Sequence, residues 1–543
     1  MTSIDWAIVI LFNGAIVVYG FIRGRQTKTA TDWFLAGRSL PWWIVGMSLW
    51  ATAIDSSDLV ADSGFTYATG MTYFIGNWAG GIIGWVVAAN FVFLPMYRAG
   101  MYTNAEYLEA RFGTAARVIS VFVQVLYRTL ILGIIANTMY LVFAVVCGWS
   151  DALAWSCVVA IALLATAYTA LGGLKSVAIT DALQTVIMVV GALVFFFLLW
   201  DKVGGWSGLE TRLDSHSEGL ANELLHIGTP TKDIPNPLWG CFSFFIIGFM
   251  YAIVNHTQSM RLFGSRSEWD LRMSVVPAAA LLILTTFTNL MVGVMGRGLY
   301  PEVSAMPLDD LLQKGDSIYP LLIREVATVG LKGIIVAGVV ASIFSTFDSI
   351  GATLSSLLVR DVYARLIKPD GDDQHYLRVG RWLTPVIIFG SFAYVPFMSM
   401  GMLLFYLGLV GAFVVPLLTM YLMGTFTRVH RKSGAIGLVA GVVYGLTRLL
   451  APGLYPGILG DKYAAYFFVV VVTAGTMVIV SVVKGWEARG QVLHQERTGW
   501  LRSSQLEARN IVVNERESRS DALPLILGII LSVIAVALVV AFW

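Results

Sequence analysis

Runs of apolar residues recur from one end of this chain to the other, and a run of about 20 is what one helix needs to cross a bilayer. About fourteen can be marked, near 5–22, 42–66, 74–97, 118–146, 152–171, 181–200, 238–256, 275–298, 331–358, 383–399, 403–425, 434–449, 463–483 and 522–542. They are apolar on all faces, unlike the one-sided stripe of a surface helix. In lipid, every backbone N–H and C=O must find a partner within the protein, and continuous runs of this length select helices over barrel strands. The expected fold is therefore an all-α membrane protein. About fourteen spans use about 280 residues. With 57% of 543 residues hydrophobic, little is left over for a soluble domain. A net charge of +2 implies no strongly charged partner, so nucleic acid is not expected and the lipid bilayer is.

Asp5 precedes the first run and Arg23-Gly24-Arg25 follow it, the reverse of a secretory signal, so 5–22 reads as a retained helix. Placing 23–41 in the cytoplasm and alternating from there gives seven inner segments: 23–41, 98–117, 172–180, 257–274, 360–382, 426–433 and 484–521. They hold 26 of the 36 Lys and Arg. That bias predicts an even number of spans with both termini outside. A plasma membrane or bacterial inner membrane is the expected host. The outer segment 299–330 leans acidic (Glu302, Asp309, Asp310, Asp316, Glu325), and 484–521 carries charges of both signs as a cytoplasmic linker. The expected division is an N-terminal helix and inner loop (1–41), a five-helix half (42–200), an outer loop (201–237) and a second five-helix half (238–425). Two peripheral helices (426–483), the linker (484–521) and a last helix (522–543) follow. Cys147, Cys157 and Cys241 have no metal-ligand spacing.

Ionisable groups inside apolar spans are costly unless they face protein, water or an ion. The second span carries Asp55, Asp58 and Asp62 within eight residues, together with Ser56 and Ser57. Three ionised carboxylates so close repel, which calls for a cation, a basic partner or a proton. The ninth span carries a polar stripe of Ser342, Ser345, Thr346 and Ser349 with Asp348 beside it. Hard oxygen ligands around a negative charge suit an alkali ion or a proton. Asp181 opens the sixth span and reads either as a further oxygen ligand or as a helix N-cap. Arg128 is the one basic residue placed inside a span.

Several separated motifs resemble the sodium/solute symporters, which include the sodium/glucose, proline and sialic acid carriers. They are Phe34-Leu35-Ala36-Gly37-Arg38-Ser39-Leu40-Pro41-Trp42-Trp43, Ala170-Leu171-Gly172-Gly173-Leu174-Lys175-Ser176 with Thr180-Asp181 and Gln184, Gln258-Ser259-Met260-Arg261, and Ser345-Thr346 with Arg360-Asp361-Val362-Tyr363. The resemblance implies a 5+5 inverted-repeat core with discontinuous helices at mid-membrane, and uptake by alternating access driven by sodium. It places a sodium site on the carbonyls of Ala51, Ile54 and Ser342 and the hydroxyls of Ser345 and Thr346. A second cation site, present in some members, maps to Asp181, Ser345, Asp348 and Ser349, so one or two sodium ions are expected. By the same resemblance the solute site falls on Ala53, Ser56, Ser57, Asp58, Asn77, Trp78 and Tyr251. Where the bacterial sodium/galactose carrier has polar groups, this chain has Ala53 and Asp58, and Leu282 and Gly408 align near two further ones. A simple sugar is therefore not the expected solute, and Asp58 suggests an amine or another hydrogen-bond donor.

The expected function is a sodium-coupled symporter importing a small organic solute. Proton coupling is the main alternative, because Asp181 and Asp348 can titrate. A transporter-like sensor is a weaker one. No enzyme is expected: no metal cluster, nucleophile elbow or phosphate-cradling glycine loop is present, and no cofactor beyond sodium is implied.

Overall fold

The computed structural model describes residues 1–25, 27, 29–301, 315–397, 402–488, 499–514 and 522–543. Glu302, Asp309 and Asp310 of the acidic outer segment, and most of the linker 484–521 apart from its helix Gly499–Asn514, lie outside the described residues. Among the described residues the regular structure is helical, and the one strand-like contact is an isolated bridge between Leu40 and Ser265. Among the described residues, eleven helices are long and apolar enough to cross a membrane. One of these, Asp151–Val203, is broken at Gly173, where φ is 60° and a Cβ would lie 2.5 Å from the Trp33 carbonyl oxygen. The helix Leu331–Ile367 is the axis of the bundle, with 94% of its apolar window buried, whereas Leu523–Ala541 buries 22% and runs along the outside. A helix apolar all round can take either place, and what decides is the number of neighbours it packs against.

Among the described residues, two further breaks bring discontinuous helices to the interior. The first such helix runs Trp42–Ala53, opens at Ile54 (φ −113°, ψ 96°), and restarts as Ser56–Thr69. The restart is built by the carboxylates of this span. Asp55 adopts an extended backbone and accepts from the Ser57 N–H at 2.7 Å, while Asp58 Oδ2 accepts from the Asp55 N–H at 2.6 Å. This is a capping box with acid at both positions, anionic at the positive end of a helix dipole. The second break separates Pro237–Val254 from His256–Phe263 at Asn255, whose side chain accepts from the Thr257 N–H at 3.0 Å.

The second break corrects a sequence expectation. Residues 257–274 read as an inner connecting segment, yet all of His256–Phe263 is buried and Glu268–Leu299 is already a membrane-length helix. The polar run His256-Thr257-Gln258-Ser259 lowers local hydropathy, but its partners are inside the protein. Gln258 donates to the Leu49 carbonyl at 3.3 Å, and the His256 N–H donates to Gln124 Oε1 at 3.1 Å.

The second half of the first broken helix lies backbone to backbone against Glu268–Leu299. A Cβ on Gly293 would sit 2.0 Å from the Ser63 carbonyl oxygen and 2.3 Å from Thr66 Oγ1. Thr66 Oγ1 in turn donates to the Leu290 carbonyl at 2.8 Å. Gly293→Ala is expected to destabilise by about 1–3 kcal/mol through overpacking. Gly475→Ala, at a helical glycine with nothing within 4 Å, is expected to be neutral or stabilising by up to about 1 kcal/mol. Thermal unfolding of the two variants in detergent checks the contrast, and equal midpoints would remove the close approach as its cause.

Candidate ion and solute site

Asp181 stands at the centre of a buried polar cluster beside the first break. The helix runs through it, so it is not an N-cap. Ser48 Oγ donates to Asp181 Oδ2 at 2.5 Å and Ser345 Oγ to Oδ1 at 2.7 Å. Arg261 Nη2 forms an ion pair with Oδ2 at 2.8 Å and also donates to Ser349 Oγ. The guanidinium is held further by Ser48 Oγ at 2.7 Å and the Thr257 carbonyl at 2.8 Å. Asp348 accepts from Tyr168 Oη and, at 3.2 Å, from Ser349 Oγ. Asp181, Asp348 and Arg261 are all fully buried.

The residues aligned with the first sodium site border this cluster. Ser345 Oγ lies 3.3 Å from the Ala51 carbonyl oxygen, the last turn before the break. Thr346 Oγ1 donates to the Ser342 carbonyl at 3.0 Å. Breaking the helix after Ala53 leaves carbonyls near its end without intrahelical donors, so backbone oxygen becomes available to an ion. Of the second set, Asp181, Ser345, Asp348 and Ser349 share one hydrogen-bonded cluster, and Arg261 reaches into it. Its place after the seventh span gave the sequence reading no sign of that role.

On the other side of the break is a cavity. Ala53, Ser57, Asp58, Asn77 and Tyr251 line it; Ser56 and Trp78 do not. Adjacent helix residues point to different sides, which separates Ser57 from Ser56 and, on the π-wound turn Gly76–Gly81, Asn77 from Trp78. Trp78 instead donates to the Ile283 carbonyl at 3.2 Å and packs on Phe74 and Phe542. The sequence reading left out of its solute set Asp55, Asp62, Tyr73, Trp85, Arg128 and Tyr406, all of which line the cavity. Tyr251 Oη donates to the Thr52 carbonyl at 2.6 Å, tying the cavity wall to the break. Leu282 lines the same cavity, whereas Gly408 lines a neighbouring one with Arg448 and Lys462.

At one end of the bundle the basic residues are not lipid-facing but buried in a network. Arg117 pairs with Asp361 at 2.5 Å and with Glu109, Arg360 pairs with Glu106 at 3.2 Å, and Arg365 pairs with Glu109 at 2.9 Å. Burial raises the Glu109 carboxyl, but Arg117 and Arg365 beside it outweigh that effect and hold it below its usual range. The linker helix that begins at Gly499 lies across this network. Trp500 stacks on Tyr376 at 4.2 Å, Arg360 donates to Ser504 Oγ at 3.2 Å, and Gln505 donates to the Ala99 carbonyl at 2.8 Å.

The fold matches solved transporters. It superposes with a TM-score of 0.72 on the substrate-bound outward-open structure of a Na+-coupled sialic acid symporter, at 21% identity over 89% of this chain and 98% of that one. A closed structure of Mhp1, a nucleobase-cation-symport-1 family transporter, gives 0.52 at 11% identity over 88% and 98%. The sequence model of the sodium:solute symporter family matches residues 33–443. The chain belongs to the sodium:solute symporter family. Similar family members include sodium/glucose cotransporter 4 of Danio rerio, 28% identical over 93% of this chain and 82% of that protein. Sodium/myo-inositol cotransporter 2 of Mus musculus is 28% identical over 89% and 77%. This symporter is thus a multi-pass membrane protein of sodium-coupled solute transport, and not an enzyme.

Proposed function

We propose that this symporter imports a small charged or strongly polar solute by alternating access, with sodium bound at the first break and the solute in the adjacent cavity. The observation that carries this reading is the approach of Ser345 Oγ to the Ala51 carbonyl across the break. Ala51, Ile54 and Ser342 would supply carbonyls and Ser345 and Thr346 hydroxyls, hard oxygen ligands suited to an alkali ion. The two halves 42–200 and 238–425, each with a broken helix, are consistent with an inverted repeat that rocks about the site.

The second cation follows from charge balance. Asp181 and Asp348 bring two carboxylates, and Arg261 brings one fixed cation. One more positive charge completes the site, either a second sodium ion or a proton. A proton is favoured by one feature: the donors to Asp348, Tyr168 and Ser349, are both neutral. Glucose and myo-inositol carriers are among the relatives, yet this cavity holds Asp55, Asp58, Asp62 and Arg128, a charged lining ill-matched to a neutral polyol.

Thermal stability of the purified protein in sodium chloride against choline chloride, at pH 6 and pH 8, tests the ion assignment. An ion that binds the folded state raises its stability by mass action. A sodium-specific rise at both pH values is expected. A shift that follows pH and ignores sodium would replace sodium coupling with proton coupling.

A further inference from the structure

The central cavity holds a guanidinium and a carboxyl group, each with polar atoms that the described residues leave unengaged. Arg128, on Thr114–Cys147, is 1% exposed and reaches the cavity, and among the described residues its Nε and Nη2 have no hydrogen-bond partner. Its guanidinium lies 5.7 Å from the centre of the Tyr251 ring and 5.8 Å from that of Tyr127. Asp62 is 3% exposed; Oδ1 accepts from Tyr73 Oη at 3.3 Å, and Oδ2 has no partner among the described residues. The other two carboxylates are engaged in the helix restart, Asp55 with Ser57 and Asp58 with the Asp55 N–H.

Which atoms are unengaged matters. Nε and Nη2 form one edge of the guanidinium fork, two parallel N–H groups at the spacing of the two oxygens of a carboxylate. Left without a partner, buried charged groups cost a protein several kcal/mol, so the site favours a ligand that engages both. A hydroxyl cannot bridge both N–H groups of that edge as two acceptors, and it brings no charge to Asp62. Part of the remaining wall, formed by Ala61, Ile131, Ile134, Phe244, Ile247 and Leu282, is apolar and fits a short hydrocarbon part.

From this pairing we propose that the solute is a small zwitterion of the amino acid class. Its carboxylate sits on the Nε–Nη2 edge of Arg128 and its ammonium donates to Asp62. This rests on the central cavity being the solute site, as proposed above, and narrows the solute class that site takes.

The test uses the purified full chain in sodium chloride, with thermal stabilisation as the readout. The probes are the twenty common amino acids with β-alanine and γ-aminobutyrate, their deaminated acids and decarboxylated amines, and glucose and myo-inositol. At least one amino acid is expected to stabilise the protein, with its acid and its amine each at least tenfold weaker. Arg128→Lys keeps the charge but loses the fork, and is expected to weaken the amino acid roughly tenfold to a hundredfold. The sodium-induced shift should remain in that variant, which shows that it is folded and binds the ion. The proposal is overturned if no amino acid in the panel stabilises the wild type, if glucose or inositol does so instead, or if Arg128→Lys binds the amino acid unchanged. Loss of the sodium shift in the wild type would count against sodium coupling and leaves the amino acid comparison, repeated in choline, to decide the solute class.

Discussion

Arg261→Ala is expected to lower the stability of this symporter by about 3–5 kcal/mol, the usual cost of leaving one member of a buried ion pair without the other. Asp181 would then sit fully buried with only the Ser48 and Ser345 hydroxyls as donors. Arg261→Lys keeps the charge but cannot reach Ser48, Thr257, Asp181 and Ser349 together, and an intermediate loss is expected. Adding Asp181→Asn to Arg261→Ala removes the orphaned charge and should recover part of the loss, since contacting residues do not act additively. Thermal midpoints of the wild type, Arg261→Ala, Asp181→Asn and the double variant form the cycle. Additive single effects would mean that the pair carries no coupling in the folded protein.

The second large effect concerns transport. Ser345→Ala with Thr346→Ala removes both hydroxyls assigned to sodium while keeping the helix backbone. At about 1–2 kcal/mol for each ligand lost, sodium affinity is expected to fall roughly 30-fold to a thousandfold. In proteoliposomes, uptake driven by a sodium gradient should fall to background at ordinary sodium concentrations and recover in part when sodium is raised. Ser345 also donates to Asp181, so Thr346→Ala alone separates the two roles, because its hydroxyl is tied only to the Ser342 carbonyl. Full sodium dependence in the double variant would move the ion elsewhere.

Much of the fold was legible because hydropathy reports directly on which segments can lie in lipid, and the motif resemblance supplied the expectation of broken helices. What hydropathy cannot report is the direction of a side chain next to a break. Asp55 and Asp58 read as charges needing a cation, a basic partner or a proton, and what the sequence did not display is that two of their oxygens also restart the helix. Arg261 read as one of the loop cations that set orientation, because a basic residue in a polar run looks the same whether water or a buried carboxylate receives it. Arg128 was visible as a charge within a span. Its relation to Asp62 depends on the packing of Thr114–Cys147 against the broken helix, residues far apart in the chain. The misplacement of Trp78 relative to the cavity has a local cause: the helix is π-wound over Gly76–Gly81, and an extra residue per turn shifts which side chains face inward.

The broken helix also bears on how the chain is made. Its halves have 12 and 14 residues, each too short to cross a bilayer alone, and the second has Asp55 as its N-cap and Asp58 and Asp62 within its first half. On the scale of membrane insertion, an aspartate at the middle of a span costs about 2.5–3.5 kcal/mol. This segment therefore cannot settle by its own hydropathy as it leaves the ribosome. Its contacts to Asn289, Leu290 and Gly293 come from chain synthesised more than 200 residues later. The part of the protein proposed to hold ion and solute is thus the part whose insertion depends on assembly, and the strongly apolar helices must hold the chain in the membrane until it arrives.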